Sequence, residues 1–403
     1  MLSEKVRDIR VNWKISDDKR DEGLTTPEDI VRFDNISYGP YGSDNLLDIY
    51  HQKEVTKPQK TIISVHGGGW VYGSKEQYQF YGMRLAQRGF TFVNFNYRLA
   101  PEHKYPAALE DINQVFCFVR DHAKEYAIDT DHLFVVGDSA GAQLSTQYLT
   151  ICSNPEYAKQ FPFVPSGLKV RAVGLNCGVY DTHDPKANSD FDVFKEYVGE
   201  DLYDDTPEAK ARLKSLDTLH YLTVDFPPAF IMSSVHDFTL PNAQPMYEKL
   251  QSVGIDSELH IYGSKEKEEV AHVFHINCRL PEADQCNDEE CAFFNRYEDK
   301  KEKKQDVSFQ DIQDASWYAQ VYEKDFFHIR KEKEANRYTI FKNKNKLFAF
   351  DVPQGGYLSQ FTRYGDAFYL LMNIAGENGK LDAIVCRVSE KKQTLQKCFK
   401  LNS

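Results

Sequence analysis

Short apolar runs alternate with helix-length stretches along the first 300 residues. TIISV at 61–65, FTFVNFNY at 90–97, HLFVVG at 132–137, VRAVGLN at 170–176 and PPAFIMSSV at 227–235 are β-branched or aromatic, which predicts buried strands. Between them the clearest helix is predicted over 106–126. Pro106 stands at its start, and Ala108, Ile112, Val115, Phe116 and Val119 recur at three- and four-residue spacing on one face. Further helices are predicted over 140–150 and 281–297. Strand alternating with helix predicts an α/β fold, a mainly parallel sheet with helices on both faces.

After residue 305 the pattern changes. RYTIFKN, KLFAFDV, AFYLLMNIA and AIVCRVS are strand-like and follow one another directly, split by NKNK, PQGG, RYGD and GENGK. This predicts a small, mostly β module of three to five antiparallel strands. Charge divides at the same place. Residues 1–300 hold 31 Lys and Arg against 48 Asp and Glu, whereas 301–403 hold 18 against 13. The run EDKKEKKQD at 298–306 reads as a solvated junction. We therefore expect one domain over 1–300 and a β-rich module over 306–403, to which no motif assigns a role.

Composition narrows the function. With 41% hydrophobic and 27% charged residues the 403-residue chain is expected to fold. Its net charge of −12 argues against nucleic-acid binding, which relies on clustered basic charge. No apolar run approaches the roughly 18 residues of a membrane helix, and no signal-like stretch opens the sequence, so no membrane insertion and a cytoplasmic location are expected. The eight Cys are then expected to be free thiols. Cys286 and Cys291 have no companion pair at zinc spacing, so no metal and no cofactor is expected.

Two motifs carry chemistry. Gly137-Asp138-Ser139-Ala140-Gly141 joins the strand HLFVVG to a predicted helix, the setting in which G-x-S-x-G forms a nucleophile elbow. So sharp a turn leaves no room for a Cβ two positions either side of the serine, and the first amides of the helix favour negative charge there. Upstream, His66-Gly67-Gly68-Gly69-Trp70 follows TIISV. Three glycines let bare backbone approach a reacting carbonyl, and an HGGG segment serves as an oxyanion element in lipases and esterases. A serine nucleophile needs a base and an acid to orient it. Asp237 lies just past PPAFIMSSV, and His272 lies in AHVFH after SELHIYG. The order Ser139, Asp237, His272 is that of an α/β-hydrolase. His275 and His236 are the rival bases, while Glu110 and Asp111, on the amphipathic helix, are expected to be structural.

HGGGW, YRLAPEHKYPAALED at 97–111, GDSAG, HDFTL at 236–240 and HVFH at 272–275 together resemble the hormone-sensitive-lipase-type esterases and related acetyl and feruloyl esterase-like enzymes, over roughly 35–297. The resemblance implies an α/β-hydrolase fold and a serine carboxylic-ester hydrolase. The second and third glycines of HGGG, with the residue after the nucleophile, form the oxyanion hole in that family, which implies Gly68, Gly69 and Ala140 here. About 35 largely charged residues stand where relatives often carry a helical cap, so a small acyl group or an open site is expected, with a small-molecule or carbohydrate ester of a short acyl group, acetyl or feruloyl included, as substrate. The stretch 181–225 is either a partial cover or a crossover with a surface loop. The alternatives to an esterase are a peptidase of the same fold and a non-catalytic ligand-binding homologue.

Overall fold

The computed structural model describes residues 2–180, 191–298, 318–322, 325–331, 336–342, 345–352, 356–364, 367–375, 381–389 and 394–400. The chain divides into two compact units, Met1–Asp299 and Lys300–Ser403.

In the first unit the helices are α1 (Glu4–Asp21), α2 (Gln79–Gln87), α3 (Ala107–His122), α4 (Ala140–Ser153), α5 (Pro155–Ala158), α6 (Phe191–Val198), α7 (Pro207–Leu216), α8 (Leu240–Val253) and α9 (Pro281–Asn295). The strands are β1 (Ile30–Ser37), β2 (Leu46–Gln52), β3 (Gln59–Val65), β4 (Thr91–Phe95), β5 (Ile128–Asp138), β6 (Val170–Asn176), β7 (Ala229–Ser234) and β8 (Ser257–Tyr262). They form one sheet in the order β1-β2-β4-β3-β5-β6-β7-β8. β1 with β2 and β2 with β4 are antiparallel, and the remaining pairs are parallel.

Side chains on a strand point alternately to the two faces, and register carries that alternation across the sheet. Ile63 lies beside Val93 and Val135, and Val135 beside Val173; this row joins the core that includes Ile112 and Val115 of α3 and Leu144 of α4. Ile62 lies beside Phe92 and Phe134, and this row packs with Met83 of α2 and Phe294 of α9. Both faces are therefore covered, which is why β3, β5 and β7 read as near-continuous apolar runs. The consequence for function is that β3, β5 and β7 end at one edge of the sheet, where the loops that follow them meet.

α1 was not expected. The Ser3 side chain caps its amino end by accepting from the Val6 amide, and only Val6 and Ile9 are buried along it. Its many charges conceal a stripe in which Val6, Ile9 and Trp13 fall three to four residues apart.

The second unit holds β9 (Tyr318–Tyr322), β10 (Asp325–Lys331), β11 (Arg337–Lys342), β12 (Asn345–Asp351), β13 (Tyr357–Tyr364), β14 (Ala367–Ala375), β15 (Leu381–Ser389) and β16 (Thr394–Lys400). They form two antiparallel four-stranded sheets, β12-β11-β10-β9 and β13-β14-β15-β16, with Phe327, Ile329, Ile340, Phe348, Phe368, Leu370 and Val388 in a common core. The expected three to five strands are corrected to eight among the described residues. β10, β13 and β16 interleave charged and polar residues with apolar ones (DFFHIRK, YLSQFTRY, TLQKCFK), so they lack the solid apolar run that marks the others.

The expectation of free thiols throughout also fails at one position, because Cys386 is disulfide-bonded. The antiparallel register of β15 and β16 sets residue 398 opposite it along the backbone. Cys117, Cys152, Cys177, Cys278, Cys286 and Cys291 are free. The run read as a junction lies almost wholly outside the described residues, as does 181–190.

Candidate active site

β5 runs into Ser139, and α4 begins at Ala140. Ser139 adopts φ 52°, ψ −119°, a conformation that L-residues resist at a cost on the order of 1–3 kcal/mol. Its surroundings hold it there: the Ser139 amide donates to the Asn176 carbonyl at 2.9 Å, and the flanking glycines permit the turn. A Cβ on Gly141 would run into the Val65 and His66 carbonyls, and one on Gly137 into Ser145 and the Gly141 carbonyl.

The Ser139 hydroxyl meets His272, with Oγ 3.0 Å from Nε2. His272 Nδ1 lies 2.7 Å from Asp237 Oδ1. Two loops bring these side chains together. His236 and Ala271 form a parallel bridge, and the Ser234 hydroxyl donates to the Ala271 carbonyl, so the loop after β7 and the loop after β8 run side by side. Val273 takes φ 54°, strained for a β-branched residue, and separates His272, in the cavity wall, from Phe274, in the core.

Asp237 is wrapped in donors. Oδ1 accepts the Thr239 amide at 2.9 Å, and Oδ2 accepts the Ser233 and Thr239 hydroxyls, each at 2.8 Å. Burial by itself would raise this carboxyl, but hydrogen bonds from His272, the Cys177 thiol and the Thr239 amide outweigh it and hold Asp237 well below the usual carboxylate range.

The glycine loop is fastened to the elbow through Tyr78, whose hydroxyl accepts the Gly67 amide at 2.9 Å and donates to Asp138 Oδ2 at 2.7 Å. Burial pushes Asp138 up to about 6, offset in part by that Tyr78 hydrogen bond. Gly68 takes φ 116°, and a Cβ there would overlap the Tyr72 carbonyl; only glycine fits. His66 faces away from the reaction. Its ring stacks on Tyr97 at 4.1 Å, and burial lowers it to about 4.

Gly68, Gly69, Ser139, Ala140 and His272 line one cavity of about 210 Å³. Trp13, Ser16 and Asp17 of α1 form part of its wall, with Tyr72, Val179, Val193 and Phe238. The charged amino-terminal segment thus walls the site, against the open site that was one of the two expectations. The Tyr72 hydroxyl donates to Asp17 at 2.8 Å, and Arg10 reaches the Val71 and Ala100 carbonyls, both fastening α1. Val193 belongs to α6, so the described part of 181–225 contributes to the wall as well. Trp13 could have been found from its place in the Val6–Ile9–Trp13 stripe; Val193, Tyr78 and Cys177 carry no comparable sequence signal.

The rival residues lie elsewhere. His275 is buried, its ring set edge-on to Tyr81, its Nδ1 without a partner among the described residues, and burial lowers it to about 3. His236 Nε2 donates to the Ser264 carbonyl. Glu110 and Asp111 pair with Arg98.

A mainly parallel sheet with a serine at the elbow after β5, an aspartate after β7 and a histidine after β8 defines an α/β-hydrolase. Esterase B from Lactobacillus rhamnosis superposes with a TM-score of 0.67 over 77% of this chain and 98% of its own, at 21% identity. The chain belongs to the BD-FAE family, whose model matches residues 47–250. Esterase LipC of Mycobacterium tuberculosis is 30% identical over 223 residues, 53% of this chain and 54% of its own length. The acetyl esterase of Salmonella paratyphi B is 28% identical over 235 residues, 55% of this chain and 68% of its own. This chain spans about half the length of the mycobacterial relatives it matches.

Proposed function

We propose that the protein is a serine carboxylic-ester hydrolase. The observation that carries this reading is the continuous contact from Ser139 Oγ to His272 Nε2 at 3.0 Å and from His272 Nδ1 to Asp237 at 2.7 Å, opening into a cavity lined by the glycine loop. Ser139 attacks the ester carbonyl while His272 takes its proton. Asp237, held ionised, fixes the imidazole tautomer and stabilises the imidazolium. The amides of Gly68, Gly69 and Ala140 receive the oxyanion, where preorganised donors are worth about 2.7–4 kcal/mol each. His272 then protonates the leaving alcohol, and water repeats the sequence on the acyl-enzyme.

The acyl group is short, acetyl to butyryl. A cavity of about 210 Å³ falls below the roughly 300–1,000 Å³ of sites for drug-sized ligands, and the acetyl esterase relative is named for a short acyl group. The apolar and aromatic lining of Trp13, Tyr72, Val179, Val193 and Phe238 suits a small alkyl acyl group, and a feruloyl ester tests that size limit from the aromatic side. We place catalysis in the unit ending at Asp299, because every residue named in the mechanism lies there. The test is kcat/KM across p-nitrophenyl esters from acetyl to decanoyl, with a feruloyl ester, an acetylated sugar and the amide matching the acetyl ester. Esters of up to four carbons should lead. Faster turnover of decanoyl than of butyryl would refute the chain length, and amide turnover equal to ester would favour a peptidase.

A further inference from the structure

The mechanism makes no use of Cys177. This residue follows β6 with φ 49°, held by its amide donating to the Met232 carbonyl at 2.8 Å. The thiol is buried, lies 3.8 Å from Met232 Sδ, and hydrogen-bonds to the Asp237 carboxylate. Asp237 already has Ser233, Thr239 and His272 as donors, so the thiol is not needed to hold it. What the thiol adds is a soft ligand. One ligand atom from each of Cys177, Asp237 and His272 lies within 4.8 Å of the others. Sulfur, carboxylate oxygen and imidazole nitrogen are the donor types that zinc takes, at about 2.3, 2.0–2.2 and 2.0–2.1 Å.

We propose that Cys177, Asp237 and His272 form an inhibitory site for a borderline or soft divalent cation, Zn²⁺ or Cd²⁺. The proposal rests on the reading of His272 as the catalytic base. To admit the ion, the 2.7 Å separation between His272 Nδ1 and Asp237 opens by roughly half an ångström and the sulfur closes in, giving three protein ligands and a position for water. Entry is from the reaction cavity, since His272, Val273 and Val179 line it and the ligand atom of Cys177 lies within 4.8 Å of that of His272.

The proton balance explains the inhibition. The thiol loses one proton to solvent as the thiolate binds. Neutral imidazole gives its Nδ1 lone pair to the metal, so its single proton must move to Nε2. There it faces Ser139 as a donor, and the ring can no longer accept the serine proton. One proton released per ion also makes affinity rise about tenfold per pH unit while the free thiol remains protonated.

The experiment uses the full chain with the three partly exposed free thiols, Cys117, Cys152 and Cys278, changed to serine. Zn²⁺ binding is measured by competition with a chromophoric chelator, alongside p-nitrophenyl acetate turnover at the same free Zn²⁺, from pH 6 to 8. We expect one ion per chain, inhibition that tracks occupancy and strengthens about tenfold per pH unit, and at least about a tenfold loss of both on Cys177→Ala, with turnover normalised to each variant's own metal-free rate. Cys177→Ser, which keeps a hydroxyl donor to Asp237 but no thiolate, should lose sensitivity likewise and serves if the alanine variant does not fold. Unchanged sensitivity in both variants, or no bound ion, would overturn the site. Binding that depends on Cys177 while turnover persists would keep the site but overturn His272 as the base.

Discussion

The loops after β7 and β8 and the region behind the elbow treat buried carboxyls in opposite ways. On the side of the loops after β7 and β8, Asp237 collects donors from Ser233, Thr239, Cys177 and His272 and is held ionised despite burial. On the elbow side, Asp138 and Glu290 are just as buried but poorly supplied. Among the described residues Glu290, on α9, accepts from Asn176 at 2.9 Å and Tyr81 at 3.4 Å alone, and burial pushes it up to about 7. The difference teaches that burial alone does not decide whether a carboxyl is ionised in this protein. Donors aimed at the carboxylate matter as well, because each offsets part of the desolvation cost.

The comparison breaks most visibly through the histidine that Asp237 serves. His272→Ala should lower kcat by an amount on the order of 10⁴–10⁶, whereas His275→Ala, three residues on but facing Tyr81, should leave kcat within about tenfold and show its effect in the thermal melt. The reverse pattern would reassign the base. Asp237→Asn is expected to cost about 10⁴ in kcat with the fold intact, as the wrong imidazole tautomer is then favoured. Circular dichroism beside the kinetics separates this from unfolding.

The elbow side is tested by Glu290→Gln through stability. The ordinary carboxyl value of 4.5 rises to about 7 in the folded chain, so the folded state holds this proton more tightly than the unfolded one. Its stabilising contribution is complete below pH 4.5 and is lost as pH rises through about 7. The glutamine variant mimics the protonated form, so it should match the parent near pH 4.5 and exceed it by about 3 kcal/mol at pH 8. Denaturant melts at both pH values decide; a variant less stable at pH 8 would mean Glu290 works as a buried anion.

Smaller effects are expected from the cavity wall. Trp13→Ala should raise KM for small esters several-fold with kcat little changed, about 1 kcal/mol of lost apolar contact, as steady-state kinetics would show. A chain ending at Asp299 should keep p-nitrophenyl acetate turnover within about tenfold of the full chain, roughly 1.4 kcal/mol in the barrier.

Much of this was legible before any coordinates. Ser139 and Asp237 stand just past β5 and β7, strands buried along the stretch that leads to each of them, and such strands announce themselves as apolar runs; His272 follows the partly exposed edge strand β8 and was legible from chain order and the HVFH segment. The elbow and the HGGG loop are legible because steric demand leaves only glycine at Gly68, Gly137 and Gly141. What escaped had a weaker imprint. α1 docks through few apolar residues, Val6, Ile9 and Trp13, with polar fastenings from Arg10 and Asp17, so charge dominates its sequence. β10, β13 and β16 alternate polar with apolar residues in a unit with one shared core. The contact of Cys177 with Asp237 is long-range, fixed by the turn after β6 and by no local pattern. Donor supply to Asp237 is likewise a property of the assembled loops.

The central claim is that Ser139, activated by His272, is the nucleophile. The most direct measurement is covalent labelling with a fluorophosphonate, read by intact mass and peptide mapping in the parent chain and in Ser139→Ala, with p-nitrophenyl acetate turnover in parallel. The account predicts a single adduct on Ser139 in the parent, none in the variant, and turnover lowered by an amount on the order of 10⁴–10⁶. An adduct on another residue, or a variant that keeps a tenth of the activity, would contradict it.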